Sequence, residues 1–349
     1  MSHAEIVSRR LWSDWFFERV SLPPALFGAL LATGLVALLA ALAVVTGAFD
    51  RLAVRNLAWW QSRDGRIAVL VSLLAGTLPT ALRLHEIGTR RNLDALASAN
   101  LWPGAPPAAL RRATSGSARA AIAWGIFGAL QIPVIAFTVD RDPGLYFTAR
   151  YWWLGPIWTW IVGMLVAFVG GILTYRVITD SRKFALLARS LPPVDLLDRE
   201  AFLPFARQGL RSAVPGVIFV TFFALNLGDA GFQFASWYIM VAVLVQNAAV
   251  LILPMRGVHE RLRAAKHDEL ARVNAAIRGE PGALSGSPLG KRDRLALADL
   301  LAWRAFVEAV PEWPIDISTL SRFVLYVVIP LLGWVGAALV QHVLDAALG

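Results

Sequence analysis

Seven stretches without charged residues alternate with charged segments along this chain of 349 residues, and most of them are strongly apolar. They cover residues 20–49, 67–82, 120–139, 151–175, 212–228, 230–255 and 323–344. A helix needs about 20 apolar residues to cross the hydrocarbon core of a bilayer. The pattern therefore predicts an all-α fold, a polytopic membrane helical bundle with seven transmembrane helices.

The distribution of basic residues predicts the orientation of this bundle. Of the 33 lysine and arginine residues, 27 lie in the amino-terminal segment and in the loops after the second, fourth and sixth stretches, and only 6 lie in the opposite loops. Cytoplasmic loops of membrane proteins carry the excess of basic residues. We therefore predict that the amino terminus is inside and the carboxyl terminus outside.

This topology divides the chain into four parts. Residues 1–20 form a cytoplasmic interfacial segment, and residues 21–255 a six-helix transmembrane bundle with cytoplasmic loops at 84–119 and 177–211. Residues 256–316 form a cytoplasmic helical hairpin, and residues 317–345 the seventh transmembrane helix. The six spans of the bundle are predicted at about 24–48, 66–83, 120–139, 152–176, 212–229 and 234–255.

Composition supports the membrane class and limits the kinds of partner that the chain is expected to bind. Hydrophobic residues make up 57% of the chain, charged residues 16%, and the mean hydropathy is +0.58, which excludes a disordered chain. The net charge of +9 falls on the predicted inner side, where it favours anionic lipid head groups. The basic residues are scattered over four segments, so no nucleic-acid partner is expected. With 30 arginines against 3 lysines, the chain is typical of a GC-rich bacterium, and we expect a multi-pass protein of the bacterial cytoplasmic (inner) membrane.

The segment before the last span has the periodicity of two helices. The sixth span is predicted to continue as a helix to Ile277, followed by a break rich in Gly, Ser and Pro at 281–290. A second helix then places apolar residues on one face: Leu297, Leu300, Trp303, Val307 and Val310. Residues 256–310 are therefore a candidate surface for a cytoplasmic protein partner.

Polar residues within the predicted spans are the candidate pathway positions. They are Thr77, Thr80, Gln131, Thr221, Asn226, Gln246 and Asn247. Such side chains need partners in hydrocarbon, so they either join helices by hydrogen bonds or line an aqueous path. The two short spans carry Pro79 and Pro215, and the order long, short, long over spans one to three recurs over spans four to six. This order raises the hypothesis of an inverted repeat, which many transporters use.

Small residues at intervals of four predict close helix packing. They are Gly163, Ala167 and Gly171 in the fourth span, and Gly333 and Ala337 in the seventh. Such faces join helices of one chain or, as the second interpretation, two copies in a homo-oligomer.

No motif for catalysis, a cofactor or a metal is present in the sequence. His259 and His267 are eight residues apart, too far along one helix to share a metal ion, and the chain has no cysteine. We therefore expect no enzyme activity, no cofactor and no metal. The leading hypothesis is a channel or transporter-like conduit for a small solute or ion. The alternative is a membrane-embedded sensor or scaffold that presents the hairpin to a partner.

Overall fold

The computed structural model describes residues 19–48, 63–99, 117–139, 143–148, 152–191, 196–198, 200–224, 234–291, 295–314, 321 and 324–325. Within them seven α-helices can be followed: α1 (Pro24–Val45), α2 (Arg63–Ser98), α3 (Ala118–Val139), α4 (Leu154–Arg189), α5 (Leu203–Ala224), α6 (Phe234–Ile277) and α7 (Leu297–Ala309). This part of the chain contains no strand, and its fold is all-α as predicted.

Four helices are long and apolar enough to cross a bilayer. They are Pro24–Val45, Gly65–Ser98, Leu154–Arg189 and Val241–Ile277, and a shorter apolar helix covers Ala118–Val134. The predicted seventh span at 317–345 and the amino-terminal segment 1–20 lie almost entirely outside the described residues. The total of seven spans and their orientation therefore stay predictions.

Successive helices run in opposite directions, with α2 and α4 at the centre. Thr80 of α2 donates a hydrogen bond to the carbonyl oxygen of Pro24, at the start of α1, whereas Gly76, earlier in α2, lies against Ala32, later in α1, so these two helices are antiparallel. α3 packs along α4, and α5 along α6. α2 and α4 run in the same direction, because Ser72 contacts Trp158 near their beginnings and His85 contacts Asp180 further along.

Three helices extend well beyond the predicted spans. The span predicted at 66–83 is one part of α2, which continues to Ser98, and α4 continues beyond the predicted end at 176 to Arg189. α5 begins at Leu203, before the predicted start at 212. Residues 84–98, 177–189 and 203–211, expected as parts of loops, are helical instead. The span predictions ended at Arg83, Arg176 and before Ser212 because a charge ends an apolar run, but it does not end the backbone hydrogen bonding of a helix.

The helix lengths differ from the order of the apolar runs. Along the described residues, α1 to α6 contain 22, 36, 22, 36, 22 and 44 residues, so α2 is longer than α1 although its apolar run is shorter. The inverted repeat stays a hypothesis. The longer helices all extend at the same end of the bundle.

Two apolar clusters lie along the axis of the bundle. The first, which we call the bundle core, joins α1, α2 and α4 and includes Leu39, Leu78, Leu82, Leu173 and Val177. The second, the end core, lies where the long helices extend. It joins α2, α4, α5, α6 and α7 through Leu93, Leu96, Phe184, Leu187, Phe205, Val258, Leu262, Val307 and Val310. The helices thus share an apolar core beyond the segments predicted for the membrane.

The structure places α7 on the stretch predicted for the second helix of the hairpin, packed against α6. Glu269 of α6 is 3% exposed and joins the parts of the hairpin: its carboxylate accepts hydrogen bonds from Ser287 (2.5 Å) and Trp303 (2.9 Å). It also pairs with Arg272 at 3.2 Å.

Small residues allow the close contacts between helices. A Cβ atom added at Gly171 would overlap the backbone of Trp124 in α3, and one added at Gly128 would overlap the carbonyl oxygen of Ala167. Ala167 and Gly171 therefore lie at the contact of α4 with α3. Gly163 lies elsewhere, because a Cβ atom there would only touch Val71 of α2 at 3.9 Å. Gly333 and Ala337 lie outside the described residues.

Candidate site: a buried layer of charged and polar residues

The threonines proposed as pathway positions bond to backbone carbonyl groups. Thr77 donates to Leu74 O (3.3 Å) and Thr221 to Val217 O (2.9 Å), each within its own helix. Thr80 donates to Gly76 O (3.1 Å) and to Pro24 O (2.9 Å), and so joins α2 to α1. When a hydroxyl group donates to the backbone in this way, its hydrogen-bond donor has a partner without any water.

Asn247 joins α5 and α6. With its amide oriented so that both atoms are satisfied, its nitrogen donates to Ala213 O (3.3 Å) and its oxygen accepts from Val217 N (3.2 Å). Gly216 makes room for this contact, because a Cβ atom there would overlap the amide of Asn247. The amide therefore bonds to the backbone of α5 next to Pro215, where the regular helix hydrogen bonding is interrupted.

The remaining pathway candidates are not brought together. Gln131 is half-buried on α3 and Gln246 is half-buried on α6. Asn226 lies outside the described residues. The described pathway candidates therefore lie on four different helices, α2, α3, α5 and α6.

A cluster of ionisable side chains lies instead between the bundle core and the end core. His85 of α2 places its Nε2 atom 3.2 Å from the Oδ2 atom of Asp180 on α4. Lys183 contacts the other carboxylate oxygen, Oδ1, at 3.4 Å, and Arg176 also interacts electrostatically with Asp180. His85 is 1% exposed, and Asp180 and Arg176 are each 7% exposed. One buried carboxylate is thus surrounded by a histidine and two cationic side chains.

A second set of polar side chains lies further along α2. Asn92 donates to Gln208 Oε1 (3.0 Å), and Gln208 Nε2 donates to Thr89 Oγ1 (3.0 Å) and to Ser212 Oγ (3.4 Å). All four side chains are buried, and the network joins α2 to α5. Together with the ionisable cluster it forms a buried polar layer, defined by His85, Thr89, Asn92, Arg176, Asp180, Lys183, Gln208 and Ser212.

The buried polar layer lies between apolar residues of both clusters. Leu82 and Val177, both buried, precede His85 and Asp180 on their helices, and Leu93 and Phe184, also buried, follow. Burying charge without partners is costly, so this layer is held by the pairing of its own members. Such a layer fixes the register of helices, and it also offers groups that can bind or relay a proton.

Two buried nitrogen atoms in this layer lack a hydrogen-bond partner among the described residues. They are Nδ1 of His85 and Nε of Arg176. If Nε2 of His85 carries the proton that Asp180 accepts, then Nδ1 is a free acceptor, and protonation of the ring makes it a donor. Nδ1 of His85 and Nε of Arg176 are therefore available for hydrogen bonds to water or to a small polar ligand, and Nδ1 can also bind a proton.

This layer was not predicted, because residues 84–119 and 177–211 were assigned to loops. The spacing of the polar residues nevertheless indicates that α2 continues as a helix. His85, Thr89 and Asn92 are spaced by 4 and 3, the spacing of one helix face, and they continue the face of Leu78 and Leu82. The buried face of α2 changes from apolar to polar without a break in the helix, which a search for apolar periodicity alone does not detect.

No protein-family model, curated protein or solved structure matches the chain, so comparison with known proteins assigns no function to this site. Within the described part of the chain, no three or more His, Cys, Asp or Glu side chains group in a way that could hold a metal ion.

Proposed function

We propose that this protein is a membrane-embedded scaffold or sensor that presents its helical hairpin to a cytoplasmic partner protein. In this proposal it is a binding protein, not an enzyme, of the bacterial cytoplasmic membrane, with anionic lipids around its inner end. A homo-oligomer formed through the lipid-facing helices is compatible with the same function.

The observation that carries the proposal is the end core. Val307 and Val310 of the hairpin are buried and belong to the same apolar cluster as Leu93 and Leu96 of α2 and Phe184 of α4. A hairpin on a flexible tether would have a core of its own and a polar linker to the bundle. Here the same apolar cluster includes the ends of the apolar helices and the hairpin. A shift of α2 against α4 would therefore change the surface that the hairpin presents.

Basic side chains of α6 strengthen this connection. Arg261 donates a hydrogen bond to the carbonyl oxygen of Arg189, at the end of α4 (2.8 Å). Lys266 donates to the carbonyl oxygens of Glu308 (2.8 Å) and Val310 (3.0 Å), at the end of α7. Cations favour helix carboxyl termini, where carbonyl groups lack partners within the helix. Side chains of α6 thus cap the carboxyl-terminal ends of two neighbouring helices, α4 and α7.

A groove on the hairpin supplies a surface for the partner. It encloses about 1300 Å³ between α6, the turn after it and α7. Its walls include Leu197, Ala264, Asp268, Arg272 and Trp303, so apolar surface is combined with charges of both signs. Apolar surface with a few polar groups is the kind of lining that binding clefts have.

Transport of a small solute or ion is the second candidate function, and the buried ionisable groups favour it. Ionisable residues inside a helical bundle often mark ion or proton pathways. The bundle core weakens this candidate, because the face of α2 that carries His85 continues towards the start of the helix as Leu82, Leu78 and Ala75, all buried. A conduit would therefore need a different face, or a second copy of the chain.

Site-specific photo-crosslinking in cells tests the scaffold proposal. Ala264 is exposed and lines the groove, whereas Ala271 is exposed on the same helix and does not line it. A photoreactive phenylalanine analogue at position 264 should give one discrete adduct with a cytoplasmic protein, and the same analogue at position 271 should give none. Absence of an adduct at 264, or equal adducts at both positions, contradicts the proposal.

Flux into proteoliposomes tests the second candidate. The scaffold proposal predicts no solute or ion flux above that of protein-free vesicles for the wild-type protein. A flux that Gln246→Leu abolishes, while a lipid-facing variant such as Ile161→Leu keeps it, would contradict the scaffold prediction and favour the conduit.

A further inference from the structure

Two arginines from different helices lie near one another at one end of the bundle. Arg211 of α5 lies over Gly88 of α2, so closely that a Cβ atom at position 88 would overlap its guanidinium group. Arg91 lies three residues beyond Gly88, and its charge repels that of Arg211. Within the described part of the chain neither arginine forms an ion pair, although Asp94 is only three residues beyond Arg91.

Arg211 lies at the predicted depth of lipid phosphate groups. Arg211 immediately precedes the apolar run at 212–228, which sets the predicted membrane boundary on α5. Arg211 is partly buried between helices, whereas Arg91 is exposed, so an anion can reach the pair from one side. Guanidinium groups bind phosphate through parallel hydrogen bonds, and two together neutralise its charge.

We infer that Arg91 and Arg211 form a binding site for the phosphate of an anionic lipid head group, with Gly88 as its floor. The site explains why two cations are kept together: a bound phosphate replaces their repulsion with two charge-assisted contacts. It also explains the glycine, since any side chain at position 88 would displace Arg211. This inference does not depend on the proposed function.

Lipid binding by the purified full-length protein tests the site, with native mass spectrometry as the readout. Bound phosphatidylglycerol is compared with phosphatidylcholine, and inorganic phosphate is offered in a separate arm. Arg211→Gln and Arg91→Gln should each weaken the tightest phosphatidylglycerol binding about fivefold, the effect of one arginine near an anionic surface. Gly88→Ala should weaken it as well, although it removes no charge.

The matched control is Arg263→Gln, which removes the same charge from an exposed position on α6. It should leave the tightest phosphatidylglycerol binding unchanged. An equal loss in Arg263→Gln, or unchanged binding in Arg211→Gln, would overturn the site. If inorganic phosphate competes at concentrations similar to those of the lipid, the site takes a soluble phosphate and the lipid assignment is wrong. Should Gly88→Ala fail to fold, the comparison of Arg211→Gln with Arg263→Gln still decides the result.

Discussion

His85 and Asp180 place a ring nitrogen and a carboxylate oxygen 3.2 Å apart between two helices, just beyond the apolar residues Leu82 and Val177. Asp180 also contacts Lys183, and Arg176 acts on it electrostatically. A buried carboxylate that balances several cationic groups cannot be neutralised without leaving them unpaired. Substitution of Asp180 should therefore destabilise the protein more than substitution of any other residue of the buried polar layer.

We predict that Asp180→Asn destabilises the protein by about 3–5 kcal/mol, the usual effect of removing one partner from a buried ion pair. The side chain keeps its shape, so the loss comes from the charge. Thermal unfolding in detergent measures the change. The control is Glu308→Gln, which breaks the exposed pair with Arg304 at 3.0 Å and should cost at most about 1 kcal/mol. Equal effects of the two variants would show that Asp180 is not paired as described.

The contact of Asn247 with the backbone of α5 gives a second prediction. Asn247→Leu removes two hydrogen bonds to Ala213 and Val217 and should cost about 1–2 kcal/mol, as for interhelical hydrogen bonds in membranes. Gly216→Val should cost more, because its side chain would occupy the space of the amide. Unfolding measurements on both variants check this order. Wild-type stability of Gly216→Val would contradict the close contact.

Glu269 should control the order of the hairpin. Glu269→Gln weakens the charge-assisted bonds from Ser287 and Trp303 and the pair with Arg272, and the turn after α6 should loosen. Limited proteolysis should then cut residues 278–290 at least several times faster than in the wild type. In the control Glu260→Gln, which affects the exposed pair with Arg256, the cleavage rate should not change. Identical rates for the two variants would mean that Glu269 does not hold the hairpin together.

The contact between α3 and α4 predicts a steric effect. Gly171→Leu would drive a side chain into the backbone of Trp124 and should destabilise the bundle by about 3 kcal/mol, the upper part of the usual range for overpacking. Gly163→Leu, in the same helix, should cost less, because only Val71 lies near position 163. Thermal unfolding of the two variants in the same detergent distinguishes them, and the reverse order would contradict the packing described.

The helices themselves could be predicted from the sequence more fully than their ends. The first six apolar runs correspond to helices where the structure describes them, and the break at 281–290 with the periodicity from Leu297 to Val310 predicted α7. Arg83 and Arg176 end two predicted spans, but the helices that carry them continue well beyond these residues. Those charges lie on helices that continue into the end core.

The candidate site could not be predicted, because its contacts join residues far apart in the chain. His85 and Asp180 are separated by 95 positions, and Asn92 and Gln208 by 116. Each of these residues, considered alone, is an ordinary polar residue in a charged segment. Asn247 was identified as a polar residue in a span, but only the structure shows that it contacts the backbone of α5.

Side-specific labelling of single cysteines tests the central claim most directly, namely that the apolar helices lie in the membrane and the hairpin faces the cytosol. The chain has no cysteine, so Ser285→Cys in the exposed turn of the hairpin and Thr148→Cys at the exposed other end of the bundle each give one reactive thiol. A membrane-impermeant maleimide should label position 285 only in inside-out vesicles and position 148 only in right-side-out vesicles. Labelling of both positions from the same side would contradict the account.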